Sequence, residues 1–142
     1  MVVGDPVCYL HLLDEDGRMP EPAVTLRRVH DPPAARRPGE TRVLVDAVWP
    51  RGLRRADVDA DLWPRTLGPS ADLRKWFGHR PERWDEFRRR YREELREPER
   101  TRLLDELAAM VRRGPVTLLY GARDRAHNQA VVIVQALDDR LT

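Results

Sequence analysis

The chain has a single cysteine, Cys8, so no internal disulfide can form. It has one lysine, Lys75, and one serine, Ser70. No apolar run approaches the roughly 18 residues of a membrane span. The first 22 residues lack the basic start and apolar stretch of a secretory signal, so the expectation is a cytoplasmic protein that contacts no membrane. Neither a Walker A motif nor a GxGxxG loop is present, which removes the usual modes of nucleoside triphosphate and dinucleotide binding. His11, His30, His79 and His127 show no metal-ligand spacing, so neither a metal nor a cofactor is expected.

What is present is charge. Of 142 residues, 35% are charged and 41% apolar, with 26 basic against 24 acidic side chains. A balanced chain of this length escapes the self-repulsion of disordered sequences and buries about 68–70% of its unfolded surface in one core. Twenty-five of the 26 basic residues are arginine. Arginine suits phosphate contact, but its surplus also matches the codon bias of a GC-rich genome, and its interleaving with acids disfavours nucleic acid as a partner. Residues 1–22 carry one basic and five acidic residues, and read as an acidic tail or arm ahead of a single domain at 23–142. Tyr9, Leu10, Leu12 and Leu13 could add an edge strand from that arm. Residues 49–80 carry an excess of three positive charges, enough to hold a small anion.

Periodicity orders the elements. Ala23 to Val29 alternates and predicts a strand, closed by His30-Asp31-Pro32-Pro33. Val43 to Trp49 is a nearly continuous apolar run, the pattern of a strand buried on both faces. Residues 50–69 form a loop with a short helical turn around Asp57 to Trp63. Ser70 caps a helix over 71–77. Trp84, Phe87, Tyr91 and Leu95 share one face of a helix that Pro81 opens and Pro98 ends. On its other face Asp85 is expected to pair with Arg89 and Glu86 with Arg90, which makes the Arg88-Arg89-Arg90 run a solvated surface. A further helix spans 99–113 and stops at Gly114-Pro115. Val116 to Tyr120 is the third strand. Residues 126–140 predict a last helix, with Val131 to Val134 open to reading as a strand. The fold class is α/β: a small sandwich with a mainly parallel central sheet flanked by helices.

Ligands of such sheets sit at the carboxyl ends of the strands. Three segments end there: 28–31, 46–52 and 120–124. Arg51, between Pro50 and Gly52, is placed to clamp a phosphate or carboxylate through its fork, or to pair with Asp46 or Asp72. Asp46, an acid in an apolar strand, is the candidate catalytic residue as a base of raised pKa, or else caps a loop or pairs with an arginine. Arg74, Lys75 and His79 lie on or after the helix that Ser70 caps and form an anion pocket with Arg51 or a solvated face. Tyr120, Arg123 and Asn128 flank a strand-to-helix turn whose helix N-terminus offers N–H groups to an anion, unless Asp124 caps it. Trp49 completes the ligand-binding set. Ser70 has no base at triad spacing and reads as a cap, and Cys8 has no identifiable partner.

The stretch Val45-Asp46-Ala47-Val48-Trp49-Pro50-Arg51-Gly52 resembles the signature of the YeaO-like family, bacterial proteins of the domain of unknown function 488. So do Arg28 to Pro32, Gly68 to His79, and Leu118 to Asp124 followed by His127-Asn128, in the same order. The resemblance implies a compact α/β fold over residues 23 to 138 and no established activity. The chain departs from that pattern at Ala47, where a basic residue is usual, at Gly68, where Ala or Thr is usual, and at Gln129, where His or Asn is common. The loss of a charge at Ala47 implies an impaired or altered reaction if the family reaction depends on it.

Two functions follow as expectations. The first is a small-molecule site for an anion, a phosphorylated metabolite or nucleotide fragment, enzymatic or not, built on Arg51 with Arg74 and Arg123, and with Asp46 orienting the ligand or acting as base. The second is an interaction module that binds protein or nucleic acid through the 81–113 helical hairpin and an exposed Trp63. A third reading makes the 45–52 loop structural, packed by Trp49 and Trp63.

Overall fold

Val24, Leu26 and the alternating residues of Val116 to Tyr120 have the β-branched and long apolar side chains that suit a pleated, half-buried surface. In the computed structural model, which describes residues 23–141, they form strands β1 (Val24–Arg28) and β3 (Val116–Tyr120). A third strand, β2 (Thr41–Leu44), completes a sheet of order β1-β3-β2 in which both pairings are parallel. Val24 faces Val116 in the first pairing and Thr41 faces Val116 in the second. The acidic N-terminal arm, with its strand-like Tyr9 to Leu13, Cys8 and His11, lies outside the described residues.

β2 is shorter than the apolar run at 43–49. Val45 still donates to the Leu119 carbonyl at 3.0 Å, and there the ladder stops. Asp46 turns away to reach Gly121 on the neighbouring strand's exit. The outer edge of β2 is covered by residues 61–62: Leu44 N donates to Leu62 O at 2.9 Å, and Asp61 N donates to Arg42 O at 2.8 Å. The edge therefore exposes no ladder for another chain to join.

Five helices follow the hydrophobic period. The short α1 (Arg55–Val58) lies in the 50–69 loop, a little earlier than expected. α2 (Ala71–Phe77) is capped by Ser70, whose Oγ accepts from Leu73 N at 3.2 Å. α3 (Trp84–Glu94) follows a 3-10 turn at Pro81–Arg83. α4 (Pro98–Arg113) and α5 (Gln129–Leu141) complete the set. Seven residues of α5, among them Val131 to Val134, are buried, so the stretch is apolar all round. It is a helix despite four β-branched residues in a row. Packing against the sheet, α3 and α4 outweighs their small helix penalty. Among the described residues no helix is long and apolar enough to cross a membrane.

The pleat divides the core in two. Val24, Leu26, Val43, Val45, Leu118 and Tyr120 meet α2 to α5 on one face, in the main core. Val29, Leu44 and Leu119 meet Val58, Trp49, Leu53 and Trp63 on the other. Helices thus cover one face, while the loop after β2 with α1 covers the other. Trp63 is half-buried in that loop: its ring centroid lies 5.1 Å from that of Trp49, and its Nε1 donates to Asp46 O at 2.7 Å. It is not the exposed docking residue of the interaction-module reading.

Candidate functional site at the carboxyl ends of the strands

The segments that leave β1, β2 and β3 converge around a cavity of about 590 Å³. That is the size range of small-molecule pockets, and many times the size of a lone phosphate. Asp46, Gly121 and Gln129 come together at it from the exits of β2 and β3 and the start of α5. Phe77 of α2 and Phe87 of α3 supply apolar wall, with ring centroids 4.3 Å apart.

Asp46 is partly buried and holds no arginine. Its Oδ2 accepts from Gly121 N at 3.0 Å, and its Oδ1 accepts from the Gln129 side-chain amide. Burial pushes its pKa up to about 6, against the pull of those two hydrogen bonds. Glycine at 121 is needed for the approach, since a Cβ there would lie 2.8 Å from Asp46 Oδ2. Once ionised, its carboxylate only accepts hydrogen bonds.

Arg28, Arg51, Arg74 and Arg123 line the same cavity, with His30, His79 and His127. Asp46 is the only carboxylate residue among the lining. Arg51 and Arg123 are exposed, and neither makes a hydrogen bond or ion pair among the described residues. The expected alternative, Arg51 paired with Asp46 or Asp72, does not occur. Arg28 and Arg74 use Nε on backbone carbonyls, Ala122 at 3.0 Å and Pro69 at 3.2 Å, which aims each guanidinium while leaving its charge uncompensated. The loop bearing Pro69 is itself clamped. Tyr91 donates to Leu67 O at 2.6 Å, Arg100 Nη2 to Gly68 O at 3.1 Å, and Ser70 N to Glu94 at 2.8 Å.

The turn from β3 to α5 satisfies itself. Asp124 Oδ1 accepts from Ala126 N and His127 N, and its Oδ2 meets His127 Nδ1 at 2.8 Å. Asn128 Oδ1 accepts from Ala130 N at 2.9 Å and Val131 N at 3.3 Å, and its Nδ2 donates to Asp124 O. The helix cap is therefore Asn128, not Asp124. The N–H groups of Ala126, His127, Ala130 and Val131 are thus taken by side chains of the turn itself. Arg125 and Asp31 pair across to the exit of β1 at 2.5 and 3.0 Å and hold that turn in place.

The structure brings together at the cavity Asp46, Trp49, Arg51, Arg74, His79, Arg123 and Asn128. Asn128 is 2% exposed there and works as a cap. Tyr120 is fully buried in the main core and does not line the cavity, because the pleat turns it toward the helices. Trp49 donates Nε1 to Leu53 O at 2.7 Å, which braces the loop that carries Arg51. His79 has φ 56, a left-handed backbone that few side chains adopt, directly after Gly78 at φ 54. Four polar lining residues are not singled out by the sequence: Arg28 and His30, within the 28–31 segment, and His127 and Gln129. The position of Gln129, a polar residue opening an otherwise apolar helix, is the one signal that could have found it.

The departures at Ala47 and Gly68 meet in space. A Cβ on Gly68 would lie 2.8 Å from both Ala47 Cβ and Ala47 N. The two positions form one tight backbone contact, which closes the segment after β2 onto the turn before α2.

Among the described residues no group of three or more His, Cys, Asp or Glu is disposed to hold a metal ion. No solved structure matches the chain. The uncharacterized protein Rv3073c of Mycobacterium tuberculosis is 41% identical over 99 residues, 70% of this chain and 81% of the relative. The uncharacterized protein YeaO of Escherichia coli is 35% identical over 114 residues, 80% of this chain and 96% of the relative. A family model described as the inactive DUF488-N3 subclade matches residues 23–142, and the chain belongs to that YeaO-like DUF488 family.

Proposed function

We propose that the protein binds a small anionic molecule, a phosphorylated metabolite or nucleotide fragment, at the carboxyl ends of its strands, and holds it without turnover. The observation that supports this is a charge imbalance. Four arginines face one cavity with one carboxylate, and no described acid pairs with any of the four. Cations gathered in a concave, partly apolar site focus a field of several kT on an incoming anion. The arginine fork adds paired hydrogen bonds to phosphate or carboxylate oxygens. Absence of turnover is in keeping with the word "inactive" in the family description and with alanine at position 47.

The helical hairpin offers less. Arg89 lies 2.7 Å from Glu86 and 2.9 Å from Glu93, Arg90 lies 2.7 Å from Glu86, and Arg88 is 3.7 Å from Asp85. The pairing differs from the expected Asp85–Arg89, but the outcome is the same: these charges are answered on their own helix.

Thermal unfolding against a panel of phosphate monoesters and carboxylates tests the reading. A ligand present at 100 times its Kd adds about 2.7 kcal/mol to the stability of the wild type. Arg51→Ala is expected to lose that shift while melting as the wild type does alone. If no anion in the panel moves the wild-type transition, the proposal fails.

A further inference from the structure

The cavity has two chemically opposed parts. The arginines of the exit loops attract anions, whereas Asp46 repels them. A bare phosphate uses only the first part and leaves most of 590 Å³ empty. Asp46 is also unusually placed for an ionised group. It is partly buried, has no cationic partner among the described residues, and receives one protein donor on each oxygen. A carboxylate offers about four acceptor positions, so each oxygen of Asp46 can take one more donor. Both are held in place, one by a backbone N–H and the other by Gln129 from the first residue of α5.

A rigid pair of carboxylate oxygens, each with room for one donor, matches two hydroxyls on adjacent carbons. The same logic lets an acidic side chain bind the ribose hydroxyl in dinucleotide folds. Resting on the anion-site reading above, we infer that the ligand is a polyhydroxylated phosphate monoester, whose phosphate lies on Arg51 and Arg123 and whose vicinal hydroxyls donate to Asp46. Gln129 is a positioning residue in this arrangement: it touches Asp46 and fixes the direction of the free acceptor positions. The apolar wall of Phe77 and Phe87 then lies beside the ligand's carbon skeleton. A free sugar phosphate and the ribose phosphate of a nucleotide share this chemistry.

Titration calorimetry of the full chain at pH 7.5 tests it from the ligand side, with no dependence on a variant's folding. The probes are glycerol 3-phosphate, ribose 5-phosphate, adenosine 5′-monophosphate and n-propyl phosphate, which has no free hydroxyl. At least one of the three hydroxylated esters is expected to bind tenfold or more tightly than propyl phosphate. Ribose 5-phosphate equal to the nucleotide identifies a sugar phosphate as sufficient, and a tighter nucleotide identifies the base as part of the ligand. Asp46→Asn is expected to bring the hydroxylated esters down to the propyl phosphate level without weakening propyl phosphate. If propyl phosphate binds as tightly as every hydroxylated ester, the diol inference is overturned and the anion site stands. If none of the four binds, both are overturned.

Discussion

At the amino end of the sheet, Arg42 is 5% exposed, and its guanidinium reaches Glu40 at 2.6 Å, Asp59 at 3.3 Å and the Ala34 carbonyl at 2.8 Å. At the carboxyl end, Arg51 and Arg123 are exposed and meet no described carboxylate. The acids differ in the same sense. Glu40 is driven up by burial but carried further down by Arg42 and Arg37, so its pKa is lowered, and Asp61 is lowered chiefly by Arg36. Asp46, buried without a cation, is raised. The amino end uses these charges on the fold itself; at the carboxyl end Asp31 and Arg125 also pair, but Arg28, Arg51, Arg74 and Arg123 meet no described carboxylate. The contrast separates arginines that hold the fold from arginines available to a ligand, which composition alone could not do.

The largest effect is expected where the charge is buried. Arg42→Ala leaves the side chain of Glu40, 4% exposed, with only the partial compensation of Arg37. Breaking such a pair costs about 3 kcal/mol, read from denaturant unfolding. A loss under 1 kcal/mol would show that the amino-end network is dispensable and remove one side of the comparison.

Asp46 and the amino-end acids should also respond to pH with opposite sign. Asp46 has a folded pKa of about 6 against 3.8 for the free side chain, so ionising it opposes folding. Its penalty is complete above pH 6 and disappears as pH falls toward 3.8. The shift corresponds to on the order of 3 kcal/mol. The stability of wild type relative to Asp46→Asn should therefore rise on acidification from pH 7 to pH 4. Glu40 and Asp61, both lowered, do the reverse: their stabilisation is present at neutral pH and is lost as pH falls below their unfolded values. A wild-type-to-variant difference that stays flat between pH 4 and 7 would mean that Asp46 is solvated like a surface acid.

A smaller effect is expected at the junction of β2 and β3. Gly121→Ala drives a methyl group to 2.8 Å from Asp46 Oδ2 and should cost about 1–3 kcal/mol. Because the clash is with one side chain, the same change in an Asp46→Ala background should cost less. Simple additivity in that cycle would show that the glycine serves something other than the carboxylate's approach.

Much of this layout follows from short-range pattern. β1, β3 and the helices α2 to α5 are legible because alternation, helical spacing, Ser70 and the prolines all act within a few residues of themselves. The convergence of the strand exits on one cavity is legible by the same route, since parallel strands bring their carboxyl ends together. What was not legible depends on contacts distant in sequence. The early end of β2 is set by Asp46 bonding across 75 residues to Gly121, and Gln129 enters the site 83 residues from its partner. The self-capped turn at 124–128 was misread for another reason: Asp124 and Asn128 both suit a cap, and only the backbone path decides which one closes α5.

The smallest predicted change in stability carries the most weight. Arg51 is exposed, makes no hydrogen bond, and precedes a glycine at φ 79 whose added Cβ would meet nothing within 4 Å. Truncating such a side chain should move the unfolding free energy by no more than about 0.5 kcal/mol. Arg42→Ala removes the same type of side chain from within β2 at several times that cost. If both hold, arginine chemistry is equal at the two ends and the surroundings decide its use. If Arg51→Ala instead costs more than about 2 kcal/mol, the 45–52 loop depends on its guanidinium for its own shape. The surplus of positive charge at the cavity would then be structural, and the two ends of the sheet would be alike after all.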